Sequence, residues 1–123
     1  MKRKQLLRRV GILCCHFLRN LAFYKAGWRK GESISKNQFW VNAIGIFLDI
    51  CVLEWCKLFG DKRSKHHWRK VITDQVSFFD GLLRAVNLSK VEFERYIDEM
   101  RTYRDKFVAH LDDEEVMHPP RLR

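Results

Sequence analysis

The sequence predicts an all-α fold, an up-and-down bundle of four to five helices. Apolar residues recur at intervals of three and four along most of the chain, as they do on the buried face of a helix. Apolar residues make up 46% of the 123 residues and aromatic residues 13%, enough for one sizeable core. The two prolines are adjacent, at Pro119 and Pro120, so neither interrupts a helix before them. We expect one helical domain over residues 1–115 and a loosely ordered tail over residues 116–123.

The first helix is predicted from about Lys4 to Trp28. One face carries an apolar stripe of Leu6, Val10, Leu13, Cys14, Phe17, Leu21 and Tyr24. The opposite face collects Arg8, Arg9, His16, Arg19 and Asn20. The stripe should pack on the core, and the basic face should meet solvent. Two glycines between Ala26 and Ser33 then predict a loop.

A second helix is predicted from about Lys36 to Phe59, opened by a capping box between Ser35 and Gln38. It is apolar nearly all round, which predicts the most buried helix of the bundle. A polar stripe interrupts this pattern at helical spacing and consists of Gln38, Asn42, Gly45 and Asp49. The stripe is either a narrow strip that faces solvent or the lining of a cleft or dimer contact.

A charged turn with Ser64 as candidate N-cap leads into a third helical region, with a break expected at Thr73 and Asp74. His66 and His67 are expected at an exposed start of this region. Adjacent side chains diverge on a helix, and no matching carboxylate or thiol spacing accompanies the pair, so we expect no metal site.

The last helix is predicted from Lys90 to about His110, opened by a second capping box between Ser89 and Glu92. An acidic cluster over Asp112–Glu115 follows. Four carboxylates this close should raise the pKa of His110, and they can shield it until a substrate or partner displaces them.

The net charge of +9 is concentrated at the N-terminus. Residues 1–31 contain nine basic residues and no acid, and the 15 other basic residues match the 15 acids. A concentrated positive field attracts polyanions through counterion release. RNA is therefore an expected partner, with the expected contacts Arg8, Arg9, Arg19, Lys25, Arg29 and Lys30. A simply solvated helix and an acidic protein partner are the alternatives.

The four cysteines show no Cys-x-x-Cys spacing, and no secretory signal precedes them, so we expect reduced core residues. The stretch Phe39–Phe59 is long enough to span a bilayer, but it contains Asn42, Asp49, Glu54 and Lys57. Charged residues inside a membrane are costly, which favours a buried bundle helix. We expect a cytoplasmic protein with no membrane contact and no cofactor.

One stretch, Tyr103 to Asp113, offers a candidate active site. Arg104 is followed at once by Asp105, and His110 lies six positions after Arg104. Arginine presents a planar fork of donors to phosphate oxygens, and histidine exchanges protons near neutrality. Six helical positions amount to roughly 600° of turn and about 9 Å of rise, so the two side chains point different ways on a straight helix. Arg104 must reach along the groove, the helix must loosen, or a second copy must come close.

This stretch resembles the Arg-x(4–6)-His signature of the HEPN superfamily. The run from Arg104 to Asp112, Arg-Asp-Lys-Phe-Val-Ala-His-Leu-Asp, is similar to the abortive-infection branch of that superfamily, and Leu53–Gly60 (Leu-Glu-Trp-Cys-Lys-Leu-Phe-Gly) supports the resemblance. The resemblance implies a small helical bundle that dimerises. It also implies a metal-independent endoribonuclease of toxin or antiphage type, with a shared cleft between two protomers.

The resemblance also implies roles for individual residues. His110 would act as acid and base, and Arg104 would bind the scissile phosphate. Asp105 would orient Arg104 or make a dimer contact. Tyr103 lies seven residues before His110 on the same face, so it can stack on a base or bond to His110, with a core tyrosine as the alternative.

Two further readings stay open beside the ribonuclease. Some HEPN relatives are inactive, so the chain can instead be a non-catalytic module that binds RNA or a partner and dimerises. A plain interaction subunit is the third reading. An antitoxin protein is a possible partner. However, toxins paired with a nucleotidyltransferase antitoxin carry a tyrosine two residues after the motif histidine. Here that position is Asp112.

Overall fold

The computed structural model describes residues 2–34 and 36–108 of the chain. Within these ranges the fold is an all-α helical bundle, as the sequence predicts, with a small two-stranded hairpin. Four α-helices follow in order: α1 Arg3–Ala26, α2 Gln38–Trp55, α3 Gln75–Val86 and α4 Lys90–Tyr103. The main core lies where the C-terminal half of α2 packs against α4.

Helices α2 and α4 each continue into a single π-helical turn. The first π turn is Cys56–Gly60, and the second π turn is Arg104–Val108. Such turns, with hydrogen bonds from residue i to i+5, are rare and occur frequently at functional sites. The helix predicted to about Phe59 thus extends through Gly60 with a π-helical last turn, and the helix predicted to about His110 is helical through Val108, the last described residue. His110 itself lies outside the described residues.

Helix α1 ends two residues before the predicted Trp28, because the chain reverses there in a hairpin. Strand β1 (Trp28–Arg29) pairs antiparallel with β2 (Glu32–Ser33). The two residues between them, Lys30 and Gly31, have φ angles of 52° and 79°, the positive values that a two-residue hairpin turn requires. The predicted loop is thus a tight turn with regular pairing.

The apolar stripe predicted on α1 is confirmed, because every member of it is buried or half-buried. Asn20, predicted on the basic face, is buried instead. Its Nδ2 donates a hydrogen bond to Oε1 of Glu54 on α2 at 2.8 Å. Just after α1, a Cβ atom at Gly27 would lie 2.5 Å from Cδ1 of Ile44, so a side chain there would collide with α2. The buried polar pair and this close approach fix how α1 sits on α2.

Helix α2 begins two residues later than predicted. Asn37 is its N-cap, and the side-chain oxygen of Asn37 accepts a hydrogen bond from the backbone N–H of Phe39 at 2.9 Å. The amide of Gln38 donates to Oδ1 of Asn42 one turn ahead. The predicted cap at Ser35 is therefore wrong, and Asn37, an equally good capping residue, takes that position.

The N-terminal half of α2 is exposed, which corrects the prediction of a helix buried along its whole length. Phe39 and Trp40 are 69% and 56% exposed, whereas Cys51 and Val52 are fully buried. The exposed half meets the end of α1 at a depression of about 490 Å³, here named the apolar patch, which is lined by Phe23, Ala26, Gly27, Ile34, Trp40, Ile44 and Phe47. Among the described residues, Gln38–Gly60 is long and apolar enough to cross a membrane, and 39% of an apolar 18-residue stretch within it is buried.

The caps of α3 and α4 follow the local sequence. The break predicted in the third helical region is confirmed, because Asp74 is the N-cap of α3 and accepts from the backbone N–H of Ser77. Helix α3 ends at Asn87, which has a left-handed φ of 54°. Ser89 and Glu92 form the predicted reciprocal capping box at the start of α4.

His67 is an internal residue of the loop that precedes a short 3-10 helix. It is 2% exposed, so the prediction of an exposed histidine pair is wrong at this position. Its Nδ1 accepts from the backbone N–H of Arg69, and its Nε2 lies 3.3 Å from the carbonyl oxygen of Phe59. Burial lowers the pKa of His67, which favours the neutral ring that this pair of contacts uses. Ser64 caps the preceding turn, because its Oγ accepts from the backbone N–H of His66.

The cysteines are all free, as far as the described residues show. Cys51 and Cys56 are buried in the core, and Cys14 is half-buried. Cys15 is exposed, which corrects its assignment to the core. Burial raises the pKa of Cys51 and of Cys56 to about 11, so both thiols are protonated at neutral pH.

The aromatic core centres on Trp55. Its ring lies 5.4 Å from Phe59, 6.3 Å from Phe93 and 5.2 Å from Tyr96, measured between centroids. Met100 is fully buried in the same cluster. These contacts join α2, the first π turn and α4 into one packed unit.

We expect Met100→Ala to lower the free energy of unfolding by about 2–5 kcal/mol, because the change leaves a cavity in this core. Val91 also lies on α4 and is 64% exposed, so Val91→Ala should change the free energy of unfolding by less than about 0.5 kcal/mol. Urea denaturation of both variants measures the difference. Equal losses would contradict the placement of the core.

Candidate active site

The segments that carry the two π turns are joined by an ion pair between Asp61 and Arg104 at the C-terminal end of α2. Asp61 directly follows the first π turn, and Arg104 opens the second. The carboxylate of Asp61 contacts Arg101 on α4 at 3.5 Å and Arg104 through its other oxygen. This end of the bundle therefore carries two arginines that converge on one carboxylate.

The guanidinium of Arg104 is held in a defined orientation. Its Nε donates to Oδ1 of Asp105 at 2.9 Å, and its Nη1 donates to Oδ2 of Asp61. The side chain is 17% exposed. Burial alone would lower the pKa of Arg104, but the hydrogen bonds that it donates to Asp105 and Asp61 raise the pKa, so the group stays charged. Among the described residues, Nη2 makes no hydrogen bond, which leaves one edge of the fork for a ligand.

Tyr103 fixes the rotation of α4 on α2. Its hydroxyl donates to Oδ1 of Asp49 at 3.2 Å, and the residue is 8% exposed. Burial, followed by the nearby carboxylate, raises the pKa of Tyr103 to about 12. Burial also raises the pKa of Asp49, although the hydrogen bond from Tyr103 opposes that shift. Tyr103 thus has the packing of a core tyrosine with its hydroxyl bound to a carboxylate.

The sequence left open whether the polar stripe of α2 faces solvent or lines a cleft or dimer contact, and its members differ in this respect. Gln38, Asn42 and Gly45 face solvent, whereas Asp49 is half-buried and bonded to Tyr103. Only the last member of the stripe therefore reaches the neighbourhood of Arg104.

An open cleft of about 900 Å³ adjoins the ion pairs of Asp61 and Arg101. Its charged lining consists of Asp61, Lys62, Arg63, Arg69, Glu94, Asp98 and Arg101. Its aromatic lining consists of Phe59, Trp68, Phe79 and Phe93. Trp68 and Phe93 are only 6% and 4% exposed, so this cleft offers a nucleic-acid strand phosphate contacts from its cations and not base stacking on these two rings.

Sequence reasoning missed Asp61, Arg69 and Arg101 as members of this region. Arg101 precedes Arg104 by three residues, so their shared helix face was a readable signal. Arg69 directly follows Trp68, and its guanidinium carbon lies 5.2 Å from the centroid of the indole ring. The partnership of Asp61 with Arg104 spans 43 residues and has no local signal.

The six basic residues expected to contact RNA are all exposed, on α1 and the hairpin. They are spread over the length of α1, and the structure places Arg9 in a pocket with His16, Lys57 and His66. The sequence grouped Arg9 with the other arginines of α1, and it did not connect Lys57 or His66 with them.

Within the described part of the chain, no three His, Cys, Asp or Glu side chains come together as a metal site. His110 and the acidic cluster Asp112–Glu115 lie outside that part, so their predicted roles stay predictions. The chain matches no protein-family model, no curated protein and no solved structure.

We expect Tyr103→Phe to raise the pKa of Asp49 further, because burial of the carboxylate continues while its hydrogen-bond donor is lost. A raised pKa in the folded state means that ionisation of Asp49 costs stability. The variant should thus lose about 1 kcal/mol at pH 7. The loss should shrink as the pH falls through the folded pKa of Asp49, because the carboxyl is then protonated in the folded and unfolded states.

Carbon-13 NMR titration of the Asp49 carboxyl measures the pKa, and urea denaturation at pH 7 and at a pH below the folded pKa of Asp49 measures the change in stability. Tyr24→Phe is the matched control, because Tyr24 is a half-buried tyrosine whose hydroxyl is not bonded to Asp49. An unchanged pKa of Asp49 in Tyr103→Phe would contradict the expectation.

Proposed function

We propose that this chain is a metal-independent endoribonuclease of toxin or antiphage type. Its active site would combine Arg104 and His110 in a cleft shared by two protomers. The observation that carries the proposal is the position and hydrogen bonding of the Arg104 guanidinium. It opens a π turn, two carboxylates orient its guanidinium, and a donor edge remains unbonded among the described residues.

The chemistry needs few groups. The ribose 2′-hydroxyl attacks the adjacent phosphorus, and the bond from phosphorus to the 5′-oxygen of the next nucleotide breaks. His110 takes the proton of the 2′-hydroxyl, and a protonated histidine, such as the partner's His110, returns one to the leaving oxygen. Arg104 stabilises the charge that develops on the phosphate oxygens. The products are a 2′,3′-cyclic phosphate and a 5′-hydroxyl.

The surroundings of Arg104 suit this role. Asp105 and Asp61 hold the guanidinium so that it need not reorganise when the phosphate arrives. The cleft beside Asp61 and Arg101 supplies Lys62, Arg63 and Arg69 for phosphate contacts. The exposed basic residues of α1 would attract RNA to the protein over a longer range.

A second function is favoured by a different aspect of the same geometry. The Arg104 side chain is only 17% exposed, and it is ion-paired to a residue that follows α2. An arginine of this kind can serve to join two helices and nothing more. The chain would then be a non-catalytic module that binds RNA or a partner protein through α1.

The deciding experiment compares cleavage of total and transfer RNA in EDTA by the wild type, Arg104→Ala and His110→Ala. Loss of one donor to the developing charge should slow cleavage at least about 100-fold in Arg104→Ala. Loss of the proton-transfer group should slow it about 100- to 10,000-fold in His110→Ala. The wild-type product should end in a cyclic phosphate.

Arg95→Ala is the matched control, because Arg95 is an exposed arginine of α4. Circular dichroism and sedimentation must show that each variant keeps the fold and the oligomeric state of the wild type. Arg104→Lys, which keeps the charge and loses the fork, provides a second variant if Arg104→Ala unfolds. Equal cleavage by folded variants and wild type would reject the nuclease and favour the binding module.

A further inference from the structure

A small basic pocket lies on the molecule where three segments meet. Helix α1 contributes Arg9, Ile12, Leu13 and His16, the first π turn contributes Lys57, and the loop after it contributes His66. Its volume is about 260 Å³, several times the roughly 30 Å³ of one water molecule. The pocket can therefore hold a group larger than water.

The lining of this pocket has one sign of charge. Four of its six residues are Arg, Lys or His, and none is acidic. Ile12 and Leu13 supply an apolar side, which strengthens electrostatic attraction to a bound anion. No residue of the lining offers a carboxylate to neutralise Arg9 or Lys57, so the site favours an anion from solution.

The positive charge around the pocket affects the pKa of His66. Burial lowers its pKa, and Lys57, Arg9 and Lys65 lower it further in that order. The cations that face His66 therefore come from α1, the first π turn and its own loop. An anion among them would screen this repulsion and favour the protonated ring.

We propose that the pocket of Arg9, His16, Lys57 and His66 binds a phosphate group of RNA. Arg9 offers a planar fork, Lys57 a compact charge, and a protonated His66 an N–H donor. His16 is the second histidine that lines this pocket. The affinity for phosphate follows from the pocket itself, and only the choice of RNA as its source rests on the proposed function.

The position of the pocket suits one strand that also reaches the candidate active site. Lys57 lies four residues before Asp61, which holds Arg104. Consecutive Cα atoms are 3.8 Å apart, so the Cα atoms of these two residues are at most about 15 Å apart. A phosphate held beside Lys57 would thus anchor RNA within a few nucleotides of Arg104.

Binding by a protonated His66 makes the affinity depend on pH. The free ring has a lowered pKa, and the bound ring should have a higher one. Binding therefore takes up a proton and tightens as the pH falls from neutral toward the free pKa of His66. His16 lines the same pocket, so His16→Gln is needed to separate the two histidines.

The test follows the His66 ring by NMR in the full chain, from about pH 5 to pH 8. The titration is done three times: on the protein alone, with inorganic phosphate added, and with a single-stranded RNA that has a non-cleavable backbone. RNA affinity is measured in parallel for Lys57→Gln, His66→Gln and Lys90→Gln. Lys90 is exposed at the start of α4, so Lys90→Gln removes the same charge elsewhere.

RNA should raise the pKa of His66. Lys57→Gln and His66→Gln should each weaken RNA binding about tenfold at pH 6, the size of one lost charged phosphate contact. Lys57→Gln should also make the salt dependence of binding shallower by about 0.7 in log-log slope. Lys90→Gln should bind within twofold of the wild type. His16→Gln should leave the shift of His66 in place.

A shift with inorganic phosphate and none with RNA would overturn the assignment to RNA. No shift with either, and equal affinities for all variants, would overturn the pocket as a site. Because Lys57 is exposed, Lys57→Gln tests the pocket even if His66→Gln unfolds. A His66 shift in a wild type that does not cleave RNA supports the pocket and rejects the nuclease. If the wild type cleaves RNA but Lys57→Gln and His66→Gln bind RNA normally, the nuclease is supported and the pocket is rejected as a site.

Discussion

The carboxylate of Asp61 is the constraint on which the candidate active site depends. It follows α2 and its π turn, and it receives both Arg101 and Arg104 from the end of α4. Ion pairs that keep part of their surface in contact with solvent, such as Arg101 with Asp61, contribute about 0–1 kcal/mol, so the stability of the fold comes mainly from the Trp55 core. The role of Asp61 is to orient the Arg104 guanidinium, because the ion pair ties that guanidinium to the position of α2.

Features with local causes could be predicted from the sequence. The apolar stripe of α1 follows from helical spacing, and the cap at Ser89 with Glu92 follows from two residues that bond to each other's backbone. The break before α3 follows from Asp74, which prefers a cap to a helix interior. The cap of α2 was misplaced because Ser35 and Asn37 are equally suitable, and the local signal does not choose between them.

Features that depend on distant contacts could not be predicted. Because α2 is apolar on all sides, its sequence does not indicate which part of the helix is buried. It could not show that the half with Phe39 is exposed and the half with Val52 is buried. The π turns have no propensity signature comparable to a cap. Of the candidate site, the sequence supplied Arg104 with its neighbour Asp105, and the partner of Arg104 across 43 residues appeared only in the folded chain.

The apolar patch lies at the opposite end of α2 from Asp61. Phe47, its member nearest to Asp61 in sequence, precedes it by 14 residues, or roughly 21 Å at 1.5 Å per helical residue. A partner that covers the patch therefore leaves Arg104 and the cleft beside Asp61 uncovered. Attachment at one end and access at the other are geometrically independent.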